Sequence, residues 1–195
     1  MQKRKIIIGI SGASGTIYGI RLLETLKPCD DIETHLVMSD YAKEIMQYEN
    51  NRDPQEVLNL ADKFYPIANL GAAISSGSFL TEGMIIAPCS IKSLSGIANS
   101  YNDNLLVRAA DVCLKERRKL IIVLRETPLH LGHLELMTRV TRYGATLLPP
   151  IPSFYHNPKT IDDLINQTVG KVLDNFGISH NLFKRWQSEE AKDEN

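Results

Sequence analysis

Several things are scarce or missing in this chain of 195 residues. Its three cysteines, Cys29, Cys89 and Cys113, are odd in number and widely spaced, which excludes a disulfide framework and a zinc pattern. The five histidines show no metal-ligand spacing; His130 and His133 lack the acidic partner of an HExxH helix, and no metal site is read. Neither sign of charge dominates: 22 Lys and Arg face 23 Asp and Glu, so no nucleic-acid-coating surface is expected. No apolar run approaches the length of a membrane span. The start, MQKRKIIIGISG, reads as a first strand rather than a signal peptide, and the cytoplasm is the expected compartment. Internal repeats and low-complexity linkers are absent, and a single domain is the natural division.

What is present begins with Ile6-Ile7-Ile8-Gly9-Ile10-Ser11-Gly12-Ala13-Ser14-Gly15. An apolar run typical of a buried parallel strand passes into a loop of small residues, and apolar residues at helical spacing follow from Ile17 to Leu26. Such a turn lets backbone N–H groups and a helix dipole approach an anion, with Ser11 and Ser14 adding hydroxyls. We therefore expect a phosphate cradle. It is not a P-loop, because no Lys follows, nor the dinucleotide fingerprint, because Ser11 takes the middle glycine slot. The plain alternative is a close-packed turn without a ligand.

Strand-like and helix-like segments alternate onward. Strands are predicted at 34–38, 83–87, 120–124 and 146–148. Helices are predicted at 41–48, from Asp53-Pro54, and at 91–98, 105–117, 131–143 and 161–176. This order predicts an α/β fold whose parallel sheet is covered by helices on both faces. Ligands of such sheets sit beyond the carboxyl ends of the strands. Ser11 to Ser14, Ser39, Cys89 to Ser93 and Arg125-Glu126 all fall there. Ser90 and Ser93 suit a flavin or phosphate, or simple helix capping. Cys89 reads as a small buried filler rather than a nucleophile. Arg125 suits a phosphate or an electron-rich ring and Glu126 a proton, or the two form a local ion pair. Arg108 and Lys115, two turns apart, can share one helix face, which is otherwise a solvated one. Phe154-Tyr155-His156-Asn157-Pro158 is an aromatic loop able to close over a ligand.

The chain resembles the UbiX-type flavin prenyltransferases, and within them the small B subunits of hydroxyarylic acid decarboxylases. The resemblance runs from Ile6 to Trp186. Its motifs read GISGASG (9–15), ETHLVMS (33–39), SSGSF (75–79), APCSIKSL (87–94), RAADVCLKERRKL (108–120), RETPL (125–129), HLELM (133–137), LPPIPSFYHNP (148–158) and KRW (184–186). The resemblance implies a Rossmann-like or flavodoxin-like three-layer flavoprotein domain over 1–186 with a polar tail, 187–195. It implies transfer of a dimethylallyl group from dimethylallyl phosphate to N5 and C6 of reduced FMN, for use by a UbiD-type aromatic acid decarboxylase. It also implies a homo-oligomer, a dodecamer.

By the same resemblance, Gly12, Ala13, Ser14, Ser39, Ser90, Ser93 and Arg125 bind FMN. Arg108, Lys115, Tyr155, Lys171 and Trp186 bind the prenyl phosphate, and Glu126, Ser14 and Glu49 serve the chemistry. Lys171 stands where the family has Arg, and so keeps the charge but loses the planar fork. The usual HLEN reads His133-Leu134-Glu135-Leu136. The alternatives are a non-catalytic FMN-binding subunit, a cysteine-decarboxylase-type flavoprotein, and a direct non-oxidative decarboxylase. The cysteine decarboxylases carry a PASANT-like helix start where this chain has APCSIKS.

Overall fold

The computed structural model describes residues 3–186, so the expected tail at 187–195 lies outside the described residues. These residues fall into two compact units divided after Pro149.

The first unit holds a six-stranded sheet: β1 (Arg4–Ile10), β2 (Ile32–Met38), β3 (Lys63–Pro66), β4 (Gly83–Cys89), β5 (Lys119–Leu124) and β6 (Thr146–Leu147). Every pairing is parallel and the spatial order is β3-β2-β1-β4-β5-β6. That is the order of a doubly wound Rossmann sheet, whose topological switch point lies between β1 and β4. The strands are nearly unbroken apolar runs because both faces are covered. Ile7, Val37, Met84, Ile86, Leu120 and Ile122 form one apolar cluster with side chains of α4 (Ile91–Ala98) and α5 (Leu105–Lys115). The alternate residues Ile6, Ile8 and Ile10 are equally buried and point to the other face by the two-residue period of a strand. The helix α1 (Ile17–Leu26) packs against β1, β2 and β4 and buries Ile20, Leu22, Leu23 and Leu26.

The remaining helices of this unit are α2 (Asp40–Asn50), α3 (Pro54–Leu58) and α6 (Leu131–Arg142). Ser39 caps α2, and Asp53 caps α3 with Pro54 in its first turn, as the sequence predicts. The structure adds β3 and a 3₁₀ turn at Ala73–Ser75 that the periodicity does not announce. The four residues of β3 lie at the sheet edge and are mostly exposed, so they show no alternating pattern to read.

The second unit holds α7 (Ile161–Asn175), opened by a capping box between Thr160 and Asp163. The aromatic loop precedes it and the segment to Trp186 follows.

Candidate functional site

The carboxyl ends of β1 and β4 are joined by one side chain. Ser11 is buried; its hydroxyl donates to the Pro88 carbonyl (3.0 Å) and accepts from the Ser90 N–H (2.7 Å). This corrects the expectation that Ser11 offers its hydroxyl to a ligand. Three of the loop N–H groups have partners within the protein as well. Ser11 N–H donates to the Pro88 carbonyl, Ala13 N–H to the Ser11 carbonyl, and Gly15 N–H to the Glu49 carboxylate at 2.9 Å. One N–H of the expected cradle, that of Gly15, is thus taken by a carboxylate of α2.

Over this switch point opens a cavity of about 920 Å³, at the upper end of the range of small-molecule sites. Gly12, Ala13, Ser14, Ser39, Ser90, Ser93, Arg125 and Glu126 all line it. Three helices begin at its wall. The Ser39 hydroxyl accepts from Ala42 N–H (3.2 Å), the Ser90 hydroxyl from Ser93 N–H (3.2 Å), and the Asn104 side chain from Val107 N–H (3.0 Å). Helix N-termini carry partial positive charge and surplus N–H groups, so their convergence favours an anionic ligand. Arg125 and Lys92 add full positive charge, against Asp103 and Glu126. Glu126 is half-buried, with one carboxylate oxygen held by Thr127 N–H at 3.0 Å.

Gly12 explains why the loop comes so close. A Cβ there would meet the Tyr41 Cβ at 2.7 Å, so only glycine lets the loop pass the first turn of α2. Tyr41 itself lines the cavity and is exposed. Ser14 is shared with a smaller cavity of about 410 Å³, lined also by Glu44, Ile45, Tyr48 and Glu49.

Other expected residues lie elsewhere. The Arg108 guanidinium donates to the Ser75 carbonyl (3.1 Å) and pairs with Asp111 (3.2 Å). Lys115 pairs with its neighbour Glu116. Neither lines the large cavity. Tyr155, Lys171 and Trp186 belong to the second unit. There the Tyr155 and Trp186 rings meet edge to face, centroids 5.7 Å apart, and Lys171 is exposed on α7. Cys89 and Cys113 are buried and desolvation pushes both thiols up to about 12, which leaves them inert, as the filler reading of Cys89 expects.

The sequence reading missed Ile67, Tyr101, Asp103 and Asn104 in the cavity wall. Asn104 carried a signal, since Asn before Leu105-Leu106 is a helix cap. Ile67 carried none, because it follows the unannounced β3; its carbonyl accepts from Leu105 N–H (2.9 Å) and so fixes the start of α5.

Among the described residues no group of three or more His, Cys, Asp or Glu is placed to hold a metal ion, and no helix is long and apolar enough to cross a membrane.

The Flavoprotein family model matches residues 1–173. A flavin prenyltransferase UbiX of Thauera aromatica is 59% identical over 189 residues, covering 97% of each chain. A solved structure of AnUbiX in complex with FMN and dimethylallyl pyrophosphate superposes with a TM-score of 0.93 at 45% identity, covering 96% of this chain and 99% of that one. A dodecameric FMN-dependent UbiX-like decarboxylase from Escherichia coli O157:H7 superposes with a TM-score of 0.92 at 47% identity, covering 94% of this chain and all of the other.

Proposed function

The chain belongs to the Flavoprotein family and, within it, to the flavin prenyltransferases, and from that membership we propose that it transfers a dimethylallyl group from dimethylallyl phosphate to reduced FMN. The carrying observation is the cavity at the β1/β4 switch point, where eight expected site residues from four separate loops line one wall. The residues present suit FMN. Hydroxyls, three helix N-termini and the Arg125 guanidinium match a phosphate tail, and the cavity of about 920 Å³ has room for a flat ring system.

When bound, reduced FMN supplies the nucleophilic N5 and the ring carbon C6 at which the two new bonds form. In this reading Ser39, Ser90, Ser93 and Arg125 grip the phosphate of FMN, while Gly12, Ala13 and Ser14 border its ring. Glu126, half-buried at the cavity wall, relays protons. Glu49 anchors the loop that carries Ser14 through Gly15. Arg108, Lys115 and Lys171 neutralise the leaving phosphate. For Arg108 and Lys115 this means exchanging Asp111 and Glu116 for the phosphate. Tyr155 and Trp186 offer π faces to the allylic cation.

The product serves a UbiD-type decarboxylase of an aromatic acid, and the chain assembles as a homo-oligomer like the dodecameric relative. The family match crosses the division after Pro149, which supports reading both units as one flavoprotein domain. The helix start APCSIKS at Ala87 does not favour the cysteine-decarboxylase reading. Anaerobic incubation with reduced FMN and dimethylallyl phosphate, followed by mass analysis of the flavin, tests the proposal. A flavin of unchanged mass overturns it, and carbon dioxide release from a phenolic acid by the purified chain revives the direct decarboxylase.

A further inference from the structure

The segment after α7 does not trail away from it. Asp174, in the last turn of α7, accepts from both nitrogens of the Arg185 fork (2.6 and 3.0 Å) and pairs with Nε2 of the buried His180 at 3.1 Å. These partners hold the Asp174 carboxyl below its ordinary range, with the Arg185 hydrogen bonds the largest cause. One turn earlier, Gly170 makes the close approach possible. A Cβ there would meet Phe183 at 2.5 Å and His180 at 2.6 Å. Arg185 also lies over the Phe183 ring, 5.5 Å from its centroid. The residue that follows Arg185 is Trp186, set edge to face on Tyr155. Tyr155 in turn meets His156 at 5.5 Å, and His156 meets Phe183 at 6.5 Å. The rings and the Asp174 strap thus close a loop of contacts around one exposed tryptophan.

We propose that Asp174 is a positioning residue: by clamping His180 and Arg185 against α7 it fixes Trp186 on Tyr155, and so sets the aromatic wall that meets the allylic group. The proposal rests on the assignment of Tyr155 and Trp186 to the prenyl substrate. It follows from bidentate geometry, which fixes orientation as well as distance. An exposed Lys–Asp pair would not do so. The edge-to-face contact alone is weak beside a bidentate ion pair and would not immobilise an exposed indole.

Trp186 is the only tryptophan of the chain, so its fluorescence reports this one site. The experiment compares wild type, Asp174→Ala, Asp174→Glu and Arg185→Lys by time-resolved fluorescence anisotropy and by steady-state kinetics with dimethylallyl phosphate and reduced FMN. In wild type the indole turns with the protein. Asp174→Ala should add a fast local component and lower kcat/KM for dimethylallyl phosphate about 10-fold, with FMN affinity unchanged. Asp174→Glu, which still reaches the fork, should restore both readouts, and Arg185→Lys should fall between. An unchanged anisotropy decay in Asp174→Ala overturns the strap, and a mobile Trp186 with unchanged kcat/KM overturns the positioning role. If Asp174→Ala does not fold, as judged by FMN binding, Arg185→Lys carries the same two tests. A wild type that prenylates no flavin defeats the functional assignment instead, while the anisotropy still tests the strap.

Discussion

Ser11 shows how far a residue's use can differ from its place in a motif. It sits where a ligand hydroxyl belongs, yet its side chain joins two strand ends from inside. Ser11→Ala leaves the Ser90 N–H without its partner and removes the bond to the Pro88 carbonyl. An unsatisfied buried group costs about 1–3 kcal/mol, so the urea midpoint should fall and FMN affinity with it, because Ser90 is cavity wall. An unchanged midpoint would show that water replaces the hydroxyl. Glu126→Gln keeps the shape and removes the proton. FMN should stay bound while product formation slows by about 10²–10⁴-fold, and an unaltered single-turnover rate would take Glu126 out of the chemistry. Asp174, one turn on along α7, is the carboxylate that could pair with Lys171 on the helix surface. That carboxylate is engaged by Arg185 and His180. Lys171→Ala should raise the concentration of dimethylallyl phosphate needed for half-maximal rate while sparing FMN. Lys171→Arg should match or exceed wild type, since the guanidinium fork suits a phosphate. Equal dependence on the prenyl phosphate in all three proteins would make the position surface decoration.

At the scale of elements, the β2–β3 edge carries a titrating group. His35 on β2 is buried, with Nε2 on Glu33 (2.8 Å) and Nδ1 on the Tyr65 hydroxyl (2.9 Å). With Nε2–H donating to the carboxylate and Tyr65 donating to Nδ1, the ring is satisfied as neutral imidazole. Burial, the largest cause, lowers its pKa, and the Glu33 charge only partly opposes this. The unfolded chain takes up the proton near the ordinary value of about 6.5, whereas the folded protein resists until lower pH. Stability is therefore full above that value and is lost as pH falls below it. Urea midpoints at pH 7.5 and 5.5 should differ more for wild type than for His35→Gln, and equal differences would refute the assignment. The same edge marks the limit of what the sequence told. Long, two-sided apolar strands and well-capped helices were legible: α1 and α4 run as their spacing predicts, and Ser39 and Asp53 announce α2 and α3. Strand β3 was not, because an edge strand of four mostly exposed residues buries too little to impose a pattern. Nor could spacing tell that Arg108 and Lys115, two turns apart on α5, would be taken by Asp111 and Glu116. The cavity residues at the strand ends, Gly12 to Ser14, Ser39, Ser90, Ser93, Arg125 and Glu126, were legible because a parallel sheet gathers strand ends on one rim.

For the whole molecule, the switch point has a consequence in time. The cavity joins the loop after β1, the helix starts after β2 and β4, the start of α5, and Arg125 after β5. Ser11 and Pro88, which hold it together, are 77 residues apart. The wall is complete only once residues from Gly12 to Glu126 are in place, and parallel pairings across such separations form slowly. A nascent chain halted before Leu105 already carries Gly12, Ser39 and Ser90 but lacks the third helix end and the guanidinium. The ability to hold a flavin should therefore emerge late and all at once. In refolding from urea, quenching of added FMN fluorescence should lag behind the return of helical circular dichroism and coincide with full protection from proteolysis. A flavin signal that leads would mean that the site is assembled locally, before the two halves of the sheet have met.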